Sequence, residues 1–149
     1  MKMLRSIIAI VIGVLVGMLV IGMIKACGHV IYPQPEGFGK MIMDPDVTRQ
    51  AKFEAIQALP IGALVAVLIA WMSGAFIGGG TAAAIASCCR GLHAGIIGAL
   101  VLLASVMMMM MVPHPDWMIL GGLATPLPLS LLAGMAASKL FPPREATLV

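Results

Sequence analysis

Two histidines, His29 and His114, border apolar runs in this sequence. Imidazole is the side chain best suited to metal ligation and to proton exchange near neutral pH. With Tyr32, Asp116 and Asp44 nearby, two converging imidazoles would form a metal site or a pocket for a polar ligand. The methionines widen the choice: there are 14, five of them consecutive at 107–111, and thioethers are soft ligands suited to Cu(I). A copper set would combine Met111, His114 and Cys27. Consecutive residues face all sides of a helix, however, so at most about two of the five would share one site. The competing reading makes methionine a flexible apolar filler and keeps His29 and Tyr32 at a membrane interface, apart from His114. Trp117 then serves as an interface anchor, and His93, near Arg90, as a residue of the inner interface.

Other chemistry finds less support. The three cysteines, Cys27, Cys88 and Cys89, fall near opposite ends of two apolar runs. A disulfide between those ends would cross the bilayer, and adjacent cysteines pair poorly, so all three read as thiols without zinc-type spacing. The stretches 61–87, 94–112 and 118–138 contain no Asp, Glu, Lys, Arg or His. Ion-coupled transporters, proton relays and voltage sensors depend on ionisable groups inside the membrane. The chain also lacks the nucleophile-elbow, zinc-protease and phosphate-loop motifs. No catalytic residue and no cofactor is expected.

The elements that must position these residues are membrane helices. Of the 149 residues 61% are hydrophobic and 10% charged, and the mean hydropathy is +1.09, far above the soluble globular range. A hydrocarbon core of about 30 Å needs about 20 apolar residues per helix, and the expected spans are 7–24, 60–89, 92–112 and 117–140. The fold class is therefore all-α, a single-domain integral membrane four-helix bundle over 1–149. Residues 27–59 form the one sizeable polar connection, with a short extracytoplasmic cap helix for which Asp46 serves as N-cap or first-turn acid and which turns Arg49, Lys52 and Glu54 to water. A net charge of +3 is explained by basic residues flanking the spans, and nucleic-acid binding has no support. The start of the chain also resembles a signal peptide ending at Ala26-Cys27, but its apolar run is too long and Lys25 adjoins the site.

The second span is the organiser. Gly62, Ala66, Ala70, Gly74, Gly78, Ala82 and Ala86 follow a four-residue step, and small residues so spaced let helix backbones approach in lipid. Each step overshoots a full turn by about 40°, a drift of about 240° over the stripe. The expectation is one neighbour for its outer half and another for its inner half. Gly13 and Gly17 in the first span, and Gly91 and Gly95 in the third, repeat the step. Gly78-Gly79-Gly80 marks a weak point. Pro126 and Pro128 should kink the fourth span and free carbonyls near Gly122 and Ala124. Trp71, about 16 Å below Pro60, is expected to pack on that kink and donate to a freed carbonyl. The connection at 113–117 lacks Lys and Arg whereas the turn at Arg90 does not, which places both termini in the cytoplasm.

His29-x-x-Tyr32-Pro33-x-Pro35, Leu59-Pro60 and Pro113-His114-Pro115-x-Trp117 together resemble a group of small bacterial four-helix membrane proteins of about this length. The resemblance covers most of the chain and implies a bacterial inner-membrane (cytoplasmic membrane) setting and a four-helix bundle, but no activity. The methionine run departs from it. The leading functional expectation is a non-enzymatic structural or accessory subunit, either a homo-oligomer or part of a larger membrane protein complex in the lipid bilayer. One alternative is an oligomeric channel or transporter module lined by Ser73 and Thr81; a second is an extracytoplasmic metal or ligand binder using His29 and His114.

Overall fold

The computed structural model describes residues 2–86 and 88–141; the sequence also suggests a short mobile tail from Phe141 to Val149, and beyond Phe141 this lies outside the described residues. Those residues form seven helices: α1 (Lys2–Ile31), α2 (Phe38–Met43), α3 (Arg49–Gln57), α4 (Ile61–Ile85), α5 (Arg90–Met111), α6 (Asp116–Ala124) and α7 (Pro126–Leu140). Four helical stretches are long and apolar enough to cross a membrane: α1, α4, α5 and the α6–α7 pair. The arrangement is that of a multi-pass membrane protein.

Local chemistry sets the boundaries. α1 runs a full two turns past the end of its apolar core because nothing between Lys25 and Ile31 breaks a helix. It stops just ahead of Pro33, whose ring disfavours helical backbone at Tyr32. α4 begins directly after Pro60 and runs unbroken through Gly78-Gly79-Gly80. The expected weak point is instead clamped, since a Cβ at Gly78 would meet α1 and one at Gly79 would meet Ser130 of α7. Cys89, at φ 49° in the left-handed region, turns the chain between α4 and α5. The fourth span is not one kinked helix but two, broken at Thr125. That residue returns its Oγ1 to the Gly121 carbonyl at 2.6 Å, and Pro126 opens α7, where a missing N–H costs nothing. Pro128 falls in the same first turn, so the two prolines make a single break.

α4 is central, with α1, α5 and α7 all packed on it. The small-residue stripe does not divide between neighbours as its drift suggests. Tyr32 stacks on Gly62, Gly28 approaches Ala66, Ile21 and Gly17 meet Gly74, and Gly13 meets Gly78 and Ala82, so α1 follows the stripe from end to end. The drift argument presumed that one partner could not stay with the stripe, whereas α1 and the Tyr32 that follows it contact it from Gly62 to Ala82. The residues beside it, Gly79, Gly80 and Ala83, take α7 through Ser130, Ala133 and Gly134.

The bundle tapers. Near the start of α5, Ala83, Ala94 and Ala137 form a core of small side chains. At the opposite end larger groups fill the space, with Trp71, Met109, Val112 and Met118 packed against Ile42 of α2 and Ile56 of α3. Two features of this connection differ from expectation. Thr48, not Asp46, caps α3, its hydroxyl accepting from the Ala51 N–H at 3.3 Å. Asp44 is engaged in a local turn, accepting from the Asp46 N–H at 2.9 Å, so the helix starts later. Lys52 is buried rather than facing water.

Candidate functional site

The two histidines occupy different surroundings. His29 lies exposed on the last turn of α1 and lines a cavity of about 480 Å³ with Lys25, Tyr32 and Gln34. His114 lies in the α5–α6 connection, its Nδ1 donating to the Val112 carbonyl at 2.6 Å. Its ring packs on Trp71 with centroids 5.9 Å apart and planes tilted by 54°. Donation from Nδ1 leaves Nε2 as the lone-pair nitrogen of the neutral ring. Burial pushes the His114 pKa below its ordinary value of 6.5, and the Val112 carbonyl offsets this only in part. Among the described residues no three His, Cys, Asp or Glu side chains come together as a metal-binding group. Cys27, Cys88 and Cys89 are exposed free thiols.

Trp71 is buried and meets Gly122 at the end of α6, its Cζ3 3.0 Å from where a Cβ would stand. It thus packs just before the helix break. The expected donation to a freed carbonyl is not among the hydrogen bonds of the described residues; Thr125 serves the break instead. The methionine run spreads round α5: Met109 is buried against Gly122, while Met107, Met110 and Met111 are exposed. Thr81 bonds its own helix at the Ile77 carbonyl, 2.7 Å away, and Ser73 lines a shallow outer depression beside Phe76. A Cβ at Gly91 would meet nothing within 4 Å and one at Gly95 only Leu131 at 3.5 Å; the glycine of α5 that another backbone approaches is Gly98, where a Cβ would stand 3.0 Å from the Leu127 Cα.

Sequence reasoning missed two sets of polar groups. Ser130, fully buried on α7, donates to the Ala94 carbonyl of α5 at 2.8 Å. The second set is the arginines. Arg5 donates to the Ile85 carbonyl at 2.7 Å, Arg49 to the Met110 carbonyl at 3.1 Å, and Arg90 to the Ala86 carbonyl at 3.3 Å and to that of Phe141. Each therefore serves the C-terminal end of a spanning helix, where carbonyls lack partners and the helix dipole favours a cation. The signal was available: a basic residue beside a helix end reads as a cap as readily as a topology marker.

The remaining feature is a groove of about 540 Å³ between α1 and α5, where these helices barely touch. Gly17, Met18, Gly22 and Lys25 form one wall, Val101, Ala104 and Met108 the other, and Trp71 and Ile97 its floor. Lys25 and Met108 also line the cavity beside His29, so the two spaces adjoin. This arrangement offers an apolar cleft with polar and cationic groups at one end. No family model, no curated protein and no solved structure matches the chain.

Proposed function

We propose that this chain is a non-enzymatic, multi-pass protein of a bacterial cytoplasmic membrane that acts as a structural or accessory subunit of a larger assembly. Its termini face the cytoplasm and its α2–α3 connection the opposite side. The observation that carries the reading is the open packing of α1. It is held along one side by α4 and barely touches α5, which leaves Val11, Leu15, Met18 and Leu19 exposed over its length. A helix so placed presents a whole face to lipid or to another membrane helix. The absence of ionisable groups from the interiors of the last three spans supports a role without proton or ion relay. The arginine-free 113–117 connection supports the orientation.

Native mass spectrometry of the protein, extracted from its own membrane in mild detergent, tests this. Co-isolation with other subunits is the expected result. A monomer or a pure homo-oligomer would overturn the accessory role, and the second of these would make solute flux in liposomes the next measurement.

A further inference from the structure

We propose that the groove between α1 and α5 holds one acyl chain of an anionic phospholipid, with the headgroup at Lys25 and His29. The groove is apolar along its length and ends at Lys25. Beyond that residue the adjoining cavity supplies His29, Tyr32 and Gln34. No carboxylate of the described residues lines either space, so the cationic end has no acid of its own and complements a phosphate. The change from apolar to cationic across two spaces that share Lys25 and Met108 in their walls is the pattern of an amphiphile.

Depth separates a lipid from a second protein helix. From Lys25 to Gly13 the groove covers a rise of about 18 Å, close to half of a hydrocarbon core of about 30 Å. Gly13 lies near the middle of the apolar part of α1, and beyond it Ala82 and Ile97 close the space. A transmembrane helix would need the full thickness, whereas an acyl chain needs one leaflet. The volume of about 540 Å³ falls within the usual range for ligand pockets, roughly 300–1,000 Å³. The proposal rests on the chain spanning a membrane and is independent of the accessory role, since a lone monomer would bind lipid equally.

Trp71 on the groove floor provides the probe. The full chain carrying Trp117→Phe, which leaves Trp71 as the single tryptophan, is placed in vesicles containing small mole fractions of phosphatidylglycerol with brominated acyl chains. Phosphatidylcholine with the same brominated chains is the comparison. Quenching of Trp71 should saturate, and should reach half its maximum at about fivefold lower mole fraction for the anionic lipid, the effect of one lysine near a membrane surface. Lys25→Gln should remove that preference. Gly22→Leu should lower quenching by both lipids, because a side chain there enters the groove without touching the α4 contact; a Cβ at Gly22 meets nothing within 4 Å. Equal quenching by the two lipids, a preference surviving Lys25→Gln, or undiminished quenching in Gly22→Leu would overturn the proposal. So would shielding of Trp71 from both lipids that disappears as the protein is diluted in the bilayer, because a second copy would then be the occupant.

Discussion

Gly78→Ala and Gly22→Ala make the same chemical change in two membrane helices, and the structure assigns them opposite outcomes. A Cβ at Gly78 would stand 2.7 Å from the Gly13 carbonyl oxygen and 3.1 Å from the Gly17 Cα. Both are backbone atoms of α1, so no side-chain rotation relieves the clash. Reaching an ordinary contact of about 3.5 Å requires α1 to withdraw by most of an ångström, and a gap of that size forfeits a quarter to a half of each dispersion contact along the interface. Overpacking of this kind costs about 1–3 kcal/mol. At Gly22 the same Cβ meets nothing within 4 Å, and only the helix-propensity gain of about 1 kcal/mol remains.

Because the propensity gain is common to both variants, it cancels in their difference. Gly78→Ala should therefore unfold about 1–3 kcal/mol more easily than Gly22→Ala. The assay is reversible unfolding in mixed micelles with increasing denaturing detergent, read by helical circular dichroism. Gly13→Ala, whose Cβ would stand 2.8 Å from the Ala82 Cβ and 2.9 Å from the Gly78 carbonyl oxygen, should side with Gly78→Ala. If all three variants unfold alike, the close approach of α1 to α4 does not exist and the reasoning from it fails.

Ser130→Ala should destabilise the same transition by about 0.6 kcal/mol and at most about 1.7 kcal/mol, the measured range for hydrogen bonds between membrane helices; an unchanged midpoint would mean that the bond to Ala94 is not made. Arg49→Gln should release the Met110 carbonyl and speed amide hydrogen exchange in the last turn of α5, leaving the start of that helix unaffected. For His114 the fold depresses the pKa by burial, so the unfolded chain binds the proton more readily. Its contribution to stability is complete above pH about 6.5 and declines as pH falls from there through the lower folded value. Unfolding curves between pH 7.5 and 5 should show this decline, and His114→Gln should flatten it.

How much of this could be read from sequence depended on whether a feature was local. The spans were legible because hydropathy and length are properties of single segments, and the small-residue step on α4 pointed to the contact that α1 makes. Its partner was not legible: the drift of the stripe suggests two neighbours, but Gly62, Ala66, Gly74, Gly78 and Ala82 all face α1 or the Tyr32 that follows it. The break at Thr125 was legible through Pro126, yet its repair by the Thr125 hydroxyl needed the geometry of the turn. Asp46 and Thr48 both fit the N-cap preference, and only the turn at Asp44 decides between them. Ser130 could not be singled out, since one serine in an apolar run is equally compatible with a bond to its own helix, as Ser105 makes to Val101.

The arginines show why one residue can answer two questions and mislead about one of them. Counted as topology markers, Arg5 and Arg90 argue for one side of a membrane and Arg49 for the other, which is why charge alone leaves the orientation close. In the structure all of these side chains reach the C-terminal carbonyls of spanning helices. Helices α4 and α7 end on one side and α5 on the other, so an antiparallel bundle requires basic caps on both. Arg49 is then present because α5 ends beside it, and its charge should be discounted when orientation is assigned. The same reasoning discounts Arg5 and Arg90, which cap α4 and α7. With all three removed, Lys2, Lys139 and Arg144 stand against Lys25, Lys40 and Lys52, an even balance, so the proposed orientation rests on the 113–117 connection without Lys or Arg and not on the charge count.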